Sequence, residues 1–337
     1  MSRPNIVVVT PVKNEEWILD RFLAVTSQFA DKIIVLDQSS SDGSLSICRQ
    51  YTKVVLLENK SKHYDEAERQ ITLIQAARDL VPEPRIIFAL DADEILAANA
   101  VRTPGWQTLM RAVPGTVLCF EKPDLYVSPD RCIRFDIPWP LGYVDDGAVH
   151  KPKKIHSIRV PMPDYAKRLN LHDVKILHYG LLRQEAQASK MRLYCVLENV
   201  LSSRSLLNRR AMYAANKAYT SSGRLEAVEQ EWFAEWESLG IDMQTIPSEK
   251  YYWQDFEVLR HFEQYGERRF WRDDIWKFDW EACRLFAHSC QVEGISQSVI
   301  TGPPRSLAVS LPLLDKAANL GRTAKTSIFG KTSPGWL

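Results

Sequence analysis

Residues 88–96 read Phe-Ala-Leu-Asp-Ala-Asp-Glu-Ile-Leu, an apolar run that ends abruptly in Asp91-Ala92-Asp93-Glu94. Along a strand successive side chains point to opposite faces, but where the strand ends and the chain turns, both Asp carboxylates can converge on one cation. Their oxygens are hard ligands, which points to Mg²⁺ or Mn²⁺. Open α/β sheets also bind ligands outside the carboxyl ends of their strands, where this cluster falls. A solvated acidic turn is the plain alternative, so the surrounding sequence has to decide.

Upstream, short β-branched runs alternate with amphipathic stretches, the rhythm of a mainly parallel central sheet flanked by helices. Strands are expected at Asn5–Thr10, Lys32–Asp37, Val54–Leu57 and Arg85–Leu90, and runs such as IVVV (6–9) and IIVL (33–36) suit strands covered on both faces. One helix is expected from about Trp17 to Ser27, with Trp17, Ile18, Phe22 and Val25 on a stripe. A second follows Ser41, capped by Ser41 or Asp42 with Leu45 and Ile47 inward. A third starts near Asp65, whose spacing to Glu68 is that of an N-terminal cap, and turns Ile71, Ile74 and Ala77 to the sheet. The polar loops Thr10–Glu16 (TPVKNEE) and Asp37–Ser44 (DQSSSDGS) then leave their strands at the same edge as the acidic cluster.

Downstream, Pro104 opens a short helix that leads to a strand at Thr116–Glu121. Residues 122–182 are proline-dense, with short alternating segments, so loops and small strands are expected there. From Arg183 to Cys290 helix formers and aromatics dominate, and Trp232, Trp236, Trp253, Trp271, Trp276 and Trp280 are expected to pack the helices on one another. Residues 301–337 mix Pro, Ser, Gly, Lys and Arg and read as a partly flexible tail.

The chain has 337 residues, 45% of them apolar and 25% charged, ordinary values for a folded soluble protein. Lys and Arg total 43 against 42 for Asp and Glu, so no overall field draws the molecule to nucleic acid. No run approaches the roughly 18 apolar residues of a spanning helix, so no transmembrane segment is expected, while peripheral membrane contact stays open. The six cysteines (Cys48, Cys119, Cys132, Cys195, Cys283, Cys290) are scattered and read as buried thiols; with no secretory leader, the expected location is cytoplasmic. There is no phosphate-binding P-loop, dinucleotide fingerprint or zinc spacing, which sets aside ATPase and dehydrogenase roles.

In their order and approximate spacing, TPVKNEE, VLDQSSSDGS (35–44), Arg69, LDADE (90–94) and ILHYG (176–180) resemble the family 2 glycosyltransferases, which have the GT-A fold. The resemblance covers residues 5 to about 195 and is strongest before residue 100. It implies a Rossmann-like α/β domain over residues 1–182 that binds a nucleotide-diphospho-sugar, a helical C-terminal region over 183–300 and the tail over 301–337. It implies further that Thr10, Pro11 and Asp37 hold the base and ribose, with Asn14, Glu15 and Gln38 alongside and Arg69 near the base or diphosphate. Asp91 would touch the ribose or a metal-bound water, Asp93 would ligate Mn²⁺ or Mg²⁺ directly, and His178 would be a further metal ligand. Gln38 stands where the family commonly has a second Asp; its carbonyl can accept from uracil N3–H without charge assistance, so a UDP-sugar remains the favoured donor.

Inverting transfer needs a base for the acceptor proton and a cation to neutralise the departing diphosphate. The family places its catalytic carboxylate on a loop past the acidic cluster, which brings in Gly142–His150 (GYVDDGAVH) and Asp146, then Asp145, with Glu94 as a further candidate and His150 and His156 as helpers. Arg183, Lys190 and Arg192 follow at helical spacing, as a diphosphate-facing stripe or a solvated face. The acceptor is a saccharide, a lipid-linked group or a small molecule, as in surface polysaccharide or glycoconjugate synthesis. The rival readings are a haloacid-dehalogenase-like phosphohydrolase, in which Asp91 would be the nucleophile, and a non-catalytic nucleotide-sugar-binding module.

Overall fold

The computed structural model describes residues 3–60, 65–154, 157–201, 204–213, 223–308, 311–314 and 316. His156 and about two thirds of the expected tail lie outside them. The chain forms two compact units, one of Met1–Leu182 with Arg224–Pro247, the other of Arg183–Gly223 with Ser248–Ser333. Residues 224–247, which the sequence reading counted with the helical region, thus belong to the first unit.

The first unit is built on one sheet. Its strands are β1 (Asn5–Val12), β2 (Lys32–Asp37), β3 (Val54–Glu58), β4 (Arg85–Ala89), β5 (Glu94–Leu96), β6 (Thr116–Glu121), β7 (Asp124–Tyr126), β8 (Ser128–Arg134), β9 (Trp139–Val144), β10 (Lys167–His178) and β11 (Arg224–Ala227). Their order is β11-β8-β7-β10-β6-β9-β4-β1-β2-β3, with β5 paired to β10. The quartet β3-β2-β1-β4 is parallel. Beyond it β9 runs antiparallel to both β4 and β6, and β10 returns parallel to β6.

The apolar runs are continuous because both sheet faces are covered. On β1, Ile6 and Val8 join the core under helix α1 (Glu16–Phe29), while Val7 and Val9 join the core under α3 (Glu66–Leu80). On β4, Ile86 and Phe88 face the first core and Ile87 and Ala89 the second. Each fully buried side chain of this kind contributes about 1.5–3 kcal/mol relative to exposure. Asp65 caps α3 as its spacing predicts, accepting from the Glu68 N–H at 3.1 Å. Inward on α3, however, are Leu73, Ile74 and Ala77, and Ile71 is exposed. Helix α2 (Ser44–Cys48) buries Ser44 and Cys48 rather than Leu45, and its N-cap is Gly43. Helix α4 (Pro104–Leu109) is capped by Thr103 and leads to β6 as expected.

Trp232 and Trp236 pack in the first unit, where Trp236 Nε1 donates to the Leu96 carbonyl at 2.8 Å. The second unit is helical, with α5 (Gln184–Leu201), α6 (Leu206–Tyr213), α7 (Trp253–Tyr265) and α8 (Trp280–Ser289). There Trp276 and Trp280 pack on Phe262, with ring centroids 5.4 and 5.2 Å away. Cys290 is exposed, unlike the other cysteines. Among the described residues no helix is long and apolar enough to cross a membrane. The fold is therefore the expected α/β class, a central sheet flanked by helices, together with a helical C-terminal region.

Candidate active site

The Asp91–Glu94 segment is a tight turn locked from both sides. The Glu94 N–H donates to the Asp91 carbonyl at 2.9 Å, and the Asp91 N–H donates to Glu94 Oε2 at 3.0 Å. Glu94 is fully buried and accepts from both ends of the Arg159 guanidinium at 2.5 and 2.9 Å and from Lys122 Nζ at 3.2 Å. Burial opposes its ionisation, but Arg159 and Lys122 outweigh it and hold the carboxyl well below the usual range. Arg159 also reaches Asp91 at 3.2 Å and the Ala89 carbonyl at 3.2 Å, and Lys122 lies 4.5 Å from the Trp139 ring centroid.

His178 is the last residue of β10, and sheet register fixes its neighbours: Glu94 of β5 on one side and Asp124 of β7 on the other. Its Nδ1 is hydrogen-bonded to Asp124 Oδ1, and its Nε2 lies 3.4 Å from Asp93 Oδ2. Burial and Lys122 oppose a charge on this imidazole, yet Asp93 and Asp124 prevail and raise its pKa to about 9. Beside these atoms stands Gly180, where an added Cβ would come within 2.8 Å of His178 Nε2 and 3.1 Å of Asp93 Oδ2. The glycine keeps open a space bounded by one imidazole nitrogen and one carboxylate oxygen.

The two polar loops fasten to each other at the same edge. Asn14 N–H donates to Ser40 Oγ (2.9 Å), Glu15 N–H to Ser44 Oγ (3.0 Å) and Glu16 N–H to Asp42 Oδ2 (3.0 Å), while Ser41 and Gly43 N–H donate back to Asn14 Oδ1 (2.7 Å) and Glu16 Oε2 (2.8 Å). Asn14 takes the left-handed conformation (φ 54°), as does Ser39 (φ 57°). Glu15 accepts from Trp17 Nε1 at 2.7 Å. Thr10 and Asp37 are buried at the ends of β1 and β2, Pro11 lies beside Thr10, and Arg69 is half-buried on α3.

Asp37 Oδ2 accepts from the Ser40 N–H at 2.9 Å, whereas its buried Oδ1 has no hydrogen-bond partner among the described residues. Gln38 Oε1 accepts from Asn59 Nδ2 at 3.4 Å, and its buried Nε2 has no such partner either. The carbonyl expected to take uracil N3–H thus already accepts one hydrogen bond, from Asn59, and has a second lone pair. A buried polar atom left unpaired costs about 1–3 kcal/mol, and Asp37 Oδ1 and Gln38 Nε2 belong to consecutive residues at the carboxyl end of β2.

Asp145 and Asp146 are elsewhere. Strand β9 runs antiparallel to β4, so the chain leaves it at the opposite edge, where the Asp145 N–H donates to the carbonyl of Arg85, the first residue of β4. At about 3.3 Å per residue, the six-residue step from Arg85 to Asp91 puts roughly 20 Å between the two carboxylate groups. Asp145 is buried between Arg78 (2.8 Å) and Arg85 (2.7 Å), and Asp146 accepts from Tyr143 (2.5 Å) and Tyr165 (2.8 Å). Neither can act on a group held at the acidic turn, and Glu94, with its oxygens filled by cationic donors, is no better placed to accept a proton. His150 pairs with Gln70 at 2.9 Å beside the same α3 face. A cavity of about 530 Å³ lined by Gln107, Arg111, Thr116, Lys167 and Arg168 also opens at the far edge. In the second unit Arg183 pairs with Glu249 and Arg192 with Asp255, so these two cations are spent internally.

The sequence reading missed Lys122, Asp124 and Arg159. A strand running directly into Lys122-Pro123-Asp124 was a legible signal for the first two. Arg159 gave none, because it reaches the acidic turn only through the path of residues 145–166. Along that path the Ser157 N–H donates to Glu66 Oε2 at 3.2 Å, which ties the chain to α3.

Residues 7–103 match glycosyl transferase family 2. No curated protein is matched by the sequence. Among solved structures, the chain is similar to 4-diphosphocytidyl-2C-methyl-D-erythritol synthase (18% identity, TM-score 0.29, 35% of this chain and 60% of that one). It is also similar to glucosyl-3-phosphoglycerate synthase from Mycobacterium tuberculosis in complex with Mn²⁺, UDP-glucose and phosphoglyceric acid (17%, 0.25, 36% and 44%). A third similarity is to S. aureus TarS 1–349 (9%, 0.36, 98% and 94%). The chain spans less than two thirds of the length of the first two. The stretch that matches glycosyl transferase family 2 runs from β1 to the cap of α4.

Proposed function

We propose that the protein is a metal-dependent glycosyltransferase that moves a sugar from a nucleotide-diphospho-sugar, a UDP-sugar by preference, to a saccharide, lipid-linked or small-molecule hydroxyl. The family likeness supports an inverting course. The observation that carries the reading is the space between Asp93 Oδ2 and His178 Nε2, kept clear by Gly180.

The donor set, one carboxylate oxygen and one imidazole nitrogen, would suit a first-row ion such as Mn²⁺ better than Mg²⁺. His178 can ligate an ion only as the neutral imidazole, so affinity should rise with pH. A bound cation would supply neutralisation of the charge on the departing diphosphate.

The chain's own residues do the rest. Asp93 and His178 would grip the ion, and Asp91, 39% exposed at its side chain, faces the ribose or an ion-bound water. Arg159 and Lys122 balance the acidic turn, and Glu94 holds both in place. Asp37 Oδ1 accepts from a ribose hydroxyl and Gln38 Nε2 donates to a base oxygen or ring nitrogen, with Thr10, Pro11, Asn14, Glu15 and Arg69 around them.

A panel of nucleotide-sugars scored for thermal stabilisation and metal-dependent turnover, with and without Mn²⁺, tests this. Asp93→Ala should abolish metal-dependent turnover while the metal-free melting temperature holds. Stabilisation by no nucleotide would favour a binding role of another kind, and phosphate release from simple monoesters would favour a hydrolase.

A further inference from the structure

Asp124 has its side chain only 1% exposed, opens β7, and meets β10 at one register position, His178. The backbone reinforces that meeting, since the His178 N–H donates to the carbonyl of Pro123 at 3.0 Å. A neutral imidazole that donates Nδ1–H to a carboxylate carries its lone pair on Nε2, and here Nε2 is the nitrogen turned toward Asp93 and the space beside Gly180. Ligating histidines are oriented in this way by an outer carboxylate, which fixes the tautomer and raises the basicity of the ligating nitrogen. Nothing in the transfer reaction needs a carboxylate at Asp124 for itself: it is sealed from the cleft.

We propose that Asp124 is a positioning residue, which locks His178 in the Nδ1–H tautomer and aims Nε2 at the cation held with Asp93. The inference rests on the reading of Asp93 and His178 as ligands, and it adds a residue that no motif marks. Strand pairing supplies the precision: a slip of one residue between β7 and β10 would turn the Asp124 carboxylate to the other face of the sheet.

The test is a double-mutant cycle on Mn²⁺ affinity, measured by titrating the protein and following free Mn²⁺ by electron paramagnetic resonance. His178→Ala should weaken binding at least tenfold. Asp124→Asn, which keeps the shape but offers a neutral amide, should weaken it 10- to 100-fold in the wild-type background and less than twofold in the His178→Ala background. If His178→Ala leaves affinity unchanged, the ligand reading itself fails. If His178→Ala weakens binding but Asp124→Asn does not, or weakens it equally in both backgrounds, the ligand reading stands and the role of Asp124 is overturned. Should Asp124→Asn fail to fold, the ¹⁵N spectrum of the wild-type ring loaded with Zn²⁺ decides: the Nδ1–H tautomer is expected, and the Nε2–H tautomer refutes the proposal.

Discussion

Replacing Asp145 by Ala separates a structural carboxylate from a catalytic one. In the folded protein its oxygens accept from Arg78 at 2.8 and 3.2 Å, from Arg85 at 2.7 Å and from the Gly147 N–H at 3.2 Å, and its side chain has no solvent exposure. Truncation leaves two guanidinium groups without their shared counter-charge, and breaking a buried pair in this way costs about 3–5 kcal/mol. At roughly 2–4 °C per kcal/mol for a domain of this size, the melting temperature should fall by about 10 °C. At a temperature well below the transition, kcat and KM should stay within about twofold of wild type, because the acidic turn is roughly 20 Å away.

The loss should also depend on pH in one direction. Burial opposes ionisation of Asp145, but its hydrogen bonds to Arg78 and Arg85 prevail and hold its pKa below the ordinary carboxyl value. The unfolded chain therefore binds the proton more readily, so the stabilisation is complete above the unfolded pKa of about 4 and fades as acid takes the pH through the lower folded value. Melting curves of wild type and variant should lie a constant distance apart between about pH 6 and 8 and converge below about pH 4. Turnover abolished at an unchanged melting temperature would refute this reasoning and return Asp145 to the chemistry.

Other perturbations address the acidic edge. Glu94→Gln leaves Arg159 and Lys122 facing a neutral amide and should destabilise the fold by about 3 kcal/mol, read by denaturant unfolding; loss of turnover with stability intact would instead make Glu94 the base. Gln38→Ala removes the unpaired amide donor and should raise the Kd for a nucleoside diphosphate about tenfold, or about 1.4 kcal/mol, by calorimetry, and an unchanged Kd would remove Gln38 from the base pocket. Gly180→Ala places a methyl 2.8 Å from His178 Nε2, so Mn²⁺ affinity should fall at least tenfold with little change in metal-free stability; unimpaired binding would put the ion elsewhere.

The parallel quartet was legible because its signal is local: an apolar run of four or five residues, a polar loop, and an amphipathic helix returning the chain to the same edge. That logic correctly brought TPVKNEE, DQSSSDGS and DADE together. It failed at GYVDDGAVH because periodicity identifies a strand but not its direction. An Asp after a strand lies at the carboxyl edge of a parallel sheet only if the strand itself runs parallel, and β9 does not. Likewise, Ile71 matched a helical stripe by spacing, but the angular position of the sheet beneath α3 favoured Leu73 instead.

His178 and its neighbours show what a single sequence withholds. The residues that surround its ring come from β5, β7 and the loop after β4, separated by 84, 54 and 85 positions, and only the register of β10 against β5 and β7 makes them neighbours. Register is set by which faces of those strands are buried, a property of the closed sheet rather than of any window of residues. The same closure explains why Arg159 belongs to the site. Three acidic residues in a turn repel one another, and a fold that buries Glu94 completely must bring cations to it, here Lys122 from the end of β6 and Arg159 from a segment that begins at the far edge. A sequence reader who asks what must neutralise a buried carboxylate, rather than which motif comes next, would look for those two cations, and Asp124 would be found beside the first.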